Sequence, residues 1–219
     1  MTPGEPGKHP ALAATVAAEN VSVHVHELLH RAADLVPPGA RSDAGLCADD
    51  VRGYLREGEW DVALGILVDF DGIQWQIVEF WDLLADAAQQ MSLSDNAAWC
   101  QWRKGETLHG IIRADLQLTA PDDGGRRTPV PRTGQLRPMW AINHPSPQEG
   151  ADLHIARIWV ESAPAISPGG QGAIRLAPLT PENWRHLAPG DMITMHERQP
   201  VSGTATITEI QHPLPPTTR

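Results

Sequence analysis

The segment His26-Glu27-Leu28-Leu29-His30 has the HExxH spacing, which can support zinc chemistry. On a helix, two histidines four residues apart lie one turn apart and can bind the same Zn²⁺ ion. The glutamate between them can then act as a base toward a metal-bound water. Taken alone, this motif predicts a zinc-dependent hydrolase.

The pattern around the motif argues against that interpretation. Apolar residues recur at helical spacing and end at Pro37-Pro38-Gly39: Val21, Val25, Leu28, Leu29, Ala32 and Val36. At about 100° per residue, this stripe is centred near Val25 and Val36, so His26 and His30 lie about 100° to 140° away from it. We therefore expect both histidines to face solvent.

A catalytic zinc also needs a third protein ligand and a closed cleft. Glu57 and Glu59 are the candidates for that ligand, but the helical region is too small to offer much of a substrate groove. We interpret the motif as a chance occurrence and expect no cofactor. His26 and His30 are kept as an alternative metal site only.

No other catalytic set stands out in the sequence. There is no GxSxG elbow, and Cys47 and Cys100 have neither an adjacent base nor metal-ligand spacing. Nothing matches the phosphate-binding pattern GxxxxGK[ST], and the only lysines are Lys8 and Lys104. We therefore predict a protein that is not an enzyme and binds no nucleotide.

The negative charge of the chain is confined to its first half. Residues 1–106 hold seven Lys and Arg against seventeen Asp and Glu, whereas residues 107–219 hold ten Arg, no Lys and ten acids. An acidic half repels phosphates and suits a basic protein partner, although it also serves solubility. The candidate partner-binding acids are Asp49, Asp50, Glu57, Glu59, Asp61, Asp69 and Asp71.

Periodicity divides the chain into a helical and a strand-forming part. Residues 1–18 are expected to form a frayed arm. Four helices are then predicted: one through His30, a short one from Asp49-Asp50 to Gly58, one from Glu59 to Val68 and one through Phe80 and Trp81. Short helices joined by short loops indicate a helical bundle. The apolar stripe of the fourth helix is Ile77, Phe80, Trp81, Leu84, Ala88 and Met91, and a last segment runs from Ser94 through Trp99.

Beyond Gly105 the period changes to two. Ile112, Ala114, Leu116 and Leu118 alternate with polar residues, and short strands separated by Pro and Gly follow at 139–142, 154–160, 172–176, 191–196 and 203–210. The fold class is α+β in two domains. An acidic helical bundle spans residues 19–104, an antiparallel β-barrel spans residues 105–213, and a tail follows at 214–219.

Two segments of the second part carry a resemblance. Gly125-Arg126-Arg127-Thr128-Pro129 follows the first strand, and Arg137-Pro138 opens the next strand at Met139-Trp140. Near the end, Ile193 to Glu197 is followed by Val201 to Ala205 and a strand to Ile210. Together they resemble the third, β-barrel domain of bacterial elongation factor Tu, over about a hundred residues.

The resemblance implies a barrel that binds RNA or protein, without a GTPase. The four arginines of the only basic cluster could reach RNA phosphates, or could instead cap turns and balance Asp122 and Asp123: Arg126, Arg127, Arg132 and Arg137. The chain departs from the family at Arg198-Gln199-Pro200, where the family has a glycine-rich turn, and at an insertion from Pro178 to Gly190.

The helical part carries a second resemblance. Gly58-Glu59-Trp60-Asp61-Val62-Ala63-Leu64 resembles the segment Gly-Glu-aromatic-x-x-Ala-Leu that opens a helix in small immunity proteins of bacterial toxin systems. This resemblance implies a protein that neutralises a toxin, and an acidic surface suits a basic one. A translation-associated adaptor acting through the barrel is the alternative.

No signal peptide or membrane span is evident, because no run approaches about 18 apolar residues. We expect a cytoplasmic bacterial protein with a protein partner, with RNA contact as an alternative and no membrane contact.

Overall fold

The computed structural model describes residues 24–70, 75–143, 153–197 and 201–212. The chain forms two units, Met1–Gln101 and Trp102–Arg219. The arm expected at residues 1–18, the apolar position Val21 and the tail at 214–219 lie outside the described residues. The predicted class is confirmed, because helices fill the first half and a closed antiparallel β-barrel fills the second.

The first half contains five helical segments among its described residues. Helix α1 covers residues 24–34, α2 is Ala48–Glu57, α3 is Trp60–Val68, α4 is Val78–Gln90 and α5 is Ser94–His109. In α1 the predicted stripe is buried as expected, at Val25, Leu28, Leu29 and Ala32, and Val36 just after the helix is buried too. These side chains pack with Leu64 and Leu67 of α3 and with Phe80, Trp81 and Leu84 of α4 into one core.

The sequence predicts Asp49-Asp50 as the N-terminal cap of α2, but the helix begins earlier, at Ala48. Its N-cap is Cys47, not Asp49 or Asp50. The Asp50 carboxylate reaches back from the first turn and accepts a hydrogen bond of 2.8 Å from the Cys47 backbone N–H, which lowers the pKa of Asp50. Gly58 closes the helix in the left-handed conformation, at φ 80°.

The fourth and fifth helices differ from the pattern at their ends. Ile77 and Met91 flank α4 as its capping residues, so Ile77 is exposed rather than part of the buried stripe. The segment expected to stop near Trp99 continues to His109, because Gly105 is accommodated inside the helix. The chain turns only at Gly110, which has φ 87° and donates to the Glu106 carbonyl.

The second half contains six strands that close into a barrel in the order β1-β6-β4-β3-β7-β8. These strands are β1 (Ile111–Leu118), β3 (Met139–Ala141), β4 (Leu153–Val160), β6 (Gln171–Pro178), β7 (Met192–His196) and β8 (Gly203–Gln211). All neighbours are antiparallel. The inward side chains include Leu116, Trp140, Ile158, Ile174 and Ile193.

A separate two-stranded ribbon pairs β2 (Val130–Pro131) with β5 (Ala165–Ile166). The sequence did not predict it, because two residues are too few to show alternation and Pro131 lacks a backbone donor. Val130 and Ile166 are nonetheless buried with the barrel core.

A buried carboxylate holds the end of α5 against the outer face of the barrel. Glu106 Oε2 lies 2.7 Å from Arg175 Nη1 and 3.1 Å from Arg103 Nε, and Oε1 accepts a hydrogen bond of 2.8 Å from Trp102 Nε1. The Glu106 side chain is only 3% exposed. A charge this deeply buried is tolerated only when it is paired and hydrogen-bonded, as it is here.

The ion pairs continue across the strands. Glu161 Oε1 lies 2.8 Å from Arg175 Nε and 3.1 Å from Arg113 Nε, and Arg113 Nη1 lies 2.8 Å from Glu209 Oε2. Burial opposes the charge on Arg113, but the carboxylates of Glu161 and Glu209 outweigh it and raise the pKa of Arg113. The chain of charges therefore ties β1, β6, β8 and the end of α5 together.

We expect Glu106→Gln to lower the free energy of unfolding by about 3 kcal/mol, because two buried guanidinium groups would lose their shared anion. Urea denaturation measures this change. The control is Asp115→Asn, an exposed carboxylate of β1, for which a change of no more than about 0.5 kcal/mol is expected. Equal effects of the two substitutions would contradict a structural role for Glu106.

His196 of β7 is buried beside Thr194, whose hydroxyl lies 2.9 Å from His196 Nε2. Burial lowers the pKa of His196. The unfolded chain therefore takes up a proton at a higher pH than the folded chain does. The stability contributed by neutral His196 is complete above the unfolded value of about 6.5 and is lost as the pH falls below it.

We therefore expect the free energy of unfolding to decrease between about pH 7.5 and about pH 5.5, and His196→Gln to flatten that decrease. Urea denaturation at a series of pH values provides the test. His212→Gln, which removes an exposed histidine, should retain the wild-type slope. If His196→Gln also retains it, His196 is not the group responsible.

Candidate functional site

The predicted acidic residues lie near the two ends of an α2–α3 hairpin. Two residues, Gly58 and Glu59, separate the helices, and an antiparallel bridge between Ser42 and Phe70 brings the end of α3 back to the segment before α2. Glu57, Glu59 and Asp61 therefore lie at the turn, and Asp49, Asp50 and Asp69 lie toward the other end. All six are exposed. Asp71 lies outside the described residues.

At the end opposite the turn, two carboxylates have roles inside the fold. Asp49 accepts a hydrogen bond of 2.7 Å from Arg52, which also bonds Asp34 of α1 at 2.9 Å, and Asp50 caps α2. The Arg52 guanidinium lowers the pKa of Asp34 in turn. These interactions explain why acidic residues stand there without any reference to a partner.

The acidic turn, which we define as Glu57, Glu59 and Asp61, is different. Among the described residues, none of its carboxylates forms an ion pair with a basic side chain. The negative charge of Asp61 lies in the first turn of α3, near the positive end of the helix dipole, and therefore stabilises the helix. Glu57 is the last residue of α2, where a negative charge is unfavourable. Local stability therefore explains Asp61 but not Glu57.

Apolar side chains accompany the acidic turn. Tyr54 and Trp60 are half-buried at the edge of the helical core, and Val62 is 38% exposed. Partly exposed aromatic side chains with charges around them are typical of protein interfaces. The turn thus combines three carboxylates with an apolar edge where α2 and α3 meet.

The two histidines of HExxH do lie together, with ring centroids 5.8 Å apart on α1. Both are half-exposed, as the apolar stripe predicts, and His30 Nδ1 lies 3.4 Å from Asp34 Oδ2. No group of three His, Cys, Asp or Glu within the described ranges is arranged to hold a metal ion. Within those ranges, neither Glu57 nor Glu59 joins the two histidines in such a group.

We predict that the purified, untagged protein contains less than stoichiometric zinc by elemental analysis. His30→Ala should leave its metal content unchanged, since two half-exposed histidines without a third ligand bind zinc weakly. One zinc per chain that disappears in His30→Ala would reverse this prediction and make hydrolase assays the next step.

Arg126 stabilises the turn that follows β1. It donates to the Thr128 carbonyl at 2.6 Å and to the Pro129 carbonyl at 3.1 Å, and its Nη1 lies 2.6 Å from Glu197 at the end of β7. Gly125 is required beside it, because a Cβ there would lie 2.0 Å from the Thr119 carbonyl oxygen. Arg126 thus caps a turn, which is one of the alternatives that the sequence left open. Its acidic partner is Glu197 rather than Asp122 or Asp123.

The other arginines of the predicted cluster are exposed: Arg127, Arg132 and Arg137. The guanidinium carbon of Arg132 lies 6.0 Å from the Trp159 ring centroid, and that of Arg157 lies 5.0 Å from the Trp102 centroid. Sequence reasoning missed Arg157. The available signal was its place in alternation with the buried residues of β4, which predicts an outward side chain.

The chain matches no family model and no curated protein. Within the described part of the chain, none of the helices is both long and apolar enough to cross a membrane.

Proposed function

We propose that the chain is a non-catalytic binding protein that neutralises a basic protein toxin through the acidic turn. The observation that carries this proposal is the group of three exposed carboxylates within five residues that has no described basic partner. Glu57 stands at a helix end where its charge is unfavourable, and a cationic partner would relieve that cost.

The form of the α2–α3 hairpin supports the resemblance to small immunity proteins. Gly58 supplies the left-handed residue between the helices, and Ala63 and Leu64 are fully buried. The glycine, alanine and leucine of the motif therefore serve the fold, while Glu59 and Asp61 are exposed and available for recognition.

Electrostatics supports a basic partner. The chain carries a net charge of -10, and all of that excess lies before residue 107. An acidic surface accelerates encounter with a cationic protein. If the partner is a nuclease, the same surface competes with nucleic acid for its basic site.

For the barrel, the resemblance to the third domain of elongation factor Tu gains support from one contact. Arg126 of the Gly-Arg-x-Thr-Pro turn and Glu197 of the closing hairpin form an ion pair of 2.6 Å. The same ion pair makes Arg126 a poor candidate for phosphate contact, so an RNA adaptor is the weaker proposal.

The proposal is tested by affinity capture of basic proteins from the source bacterium, using the full chain as bait. We expect a basic protein that elutes at raised salt, whose toxic activity is blocked by an equimolar amount of the chain. The variant Glu57→Gln, Glu59→Gln, Asp61→Asn should bind it about tenfold to a hundredfold more weakly.

The matched control removes three exposed carboxylates elsewhere in the helical half, by Asp43→Asn, Asp86→Asn and Asp95→Asn. It changes net charge by the same amount, so it should lose no more than a few-fold in affinity through weaker long-range attraction. Equal loss in the two variants, or capture without any block of activity, would contradict the proposal.

A further inference from the structure

Two arginines lie side by side on the outside of the barrel: Arg157 on β4, and Arg137 on the neighbouring segment just before β3. The backbone N–H groups of Ala156 and Ile158 donate to the carbonyls of Pro138 and Leu136, at 3.4 Å and 3.1 Å. This register sets Arg137 opposite Arg157. Like charges directly opposite each other across neighbouring strands are destabilising.

No carboxylate among the described residues pairs with either arginine. Arg157 donates from Nε to the Gly134 carbonyl at 2.9 Å, and its guanidinium lies over Trp102. Burial, together with the positive charge of Arg137, lowers the pKa of Arg157. The barrel thus holds Arg157 in place beside a second cation, and a bound anion would relieve the repulsion.

Exposed aliphatic side chains continue this face along the same strands. Ile155 precedes Arg157 by two residues on β4 and is 40% exposed, and its cross-strand partner Met139 is 36% exposed. Leu179, whose backbone N–H donates to the Ile155 carbonyl, is 51% exposed. We call this surface the arginine–aliphatic face: Arg137, Arg157, Met139, Ile155 and Leu179.

The anionic partner could be a nucleic acid or an acidic protein segment, and the side chains of the arginine–aliphatic face favour the protein. Binding of single-stranded nucleic acid relies on aromatic side chains exposed for base stacking. Trp102 beneath Arg157 and its ring neighbour Trp159 are each only 3% exposed. Contact with a phosphate backbone would not bury the exposed aliphatic side chains of the face against apolar groups. They would gain from burial against apolar side chains of a protein.

We propose that the arginine–aliphatic face docks an acidic protein segment that carries aliphatic side chains. Carboxylates of this segment would form ion pairs with the guanidinium groups of Arg137 and Arg157, because the planar N–H edge of a guanidinium matches the two oxygens of a carboxylate. The aliphatic side chains would cover Ile155 and its neighbours. This contact is separate from the acidic turn, and its partner has the opposite charge.

The test uses the full chain and a fluorescent synthetic peptide in which glutamates and leucines are mixed, followed by anisotropy. We expect saturable binding that weakens about tenfold when the leucines become serines or the glutamates become glutamines. Arg137→Gln should weaken binding about five- to tenfold, because one charge-assisted hydrogen-bonded pair is lost. Ile155→Thr, which keeps a β-branched residue in the strand, should weaken it severalfold.

Arg127→Gln is the matched control, because it removes an exposed arginine of the same unit outside the face and should change affinity by less than about twofold. Thermal melts establish that each variant is folded. Unchanged binding by Arg137→Gln and Ile155→Thr would overturn the proposal. So would tighter binding of a single-stranded RNA than of the peptide, or self-association of the chain that is lost in Arg137→Gln.

Discussion

The packing of the end of α5 on the barrel, within the second unit, depends on the interactions of one buried carboxylate, that of Glu106. It is bonded to Trp102, Arg103 and Arg175, so that the last turns of α5 are held on the outside of β6. From Arg175 the ion pairs pass through Glu161 to Arg113 and Glu209. Because Arg103 and Arg175 share this anion, its removal would weaken the compensation of two buried positive charges.

This arrangement separates structural charges from charges that remain available. The arginines on β1 and β6 are occupied by carboxylates, and so is Arg126 at the turn after β1. Among the described residues, no carboxylate forms an ion pair with Arg137 or Arg157, and no basic side chain forms one with the acidic turn. The two proposed contacts therefore rest on charged groups for which the described residues supply no ion-pair partner.

Sequence patterns were sufficient for elements with clear periodicity. The apolar stripe of α1 and the alternation of β1 predicted both the elements and their buried sides. Patterns failed where a residue has two possible roles. Gly105 was interpreted as a boundary, but a glycine costs only about 1 kcal/mol inside a helix, and the helix continues to Gly110.

The candidate sites were less predictable than the fold. The exposure of the acidic turn follows from the helix pattern, but whether a described basic side chain pairs with its carboxylates depends on the folded chain. The pairing of Glu106 with Arg175 joins residues 69 positions apart, and the juxtaposition of Arg137 and Arg157 depends on the register between neighbouring segments. No local pattern carries information of that kind.

The central claim, that a basic toxin is bound at the α2–α3 turn, is tested most directly by hydrogen–deuterium exchange of the full chain, free and bound to the captured basic protein. The account predicts slower exchange across residues 54–64 and no change in β1. Slower exchange confined to the barrel, or none anywhere, would contradict it.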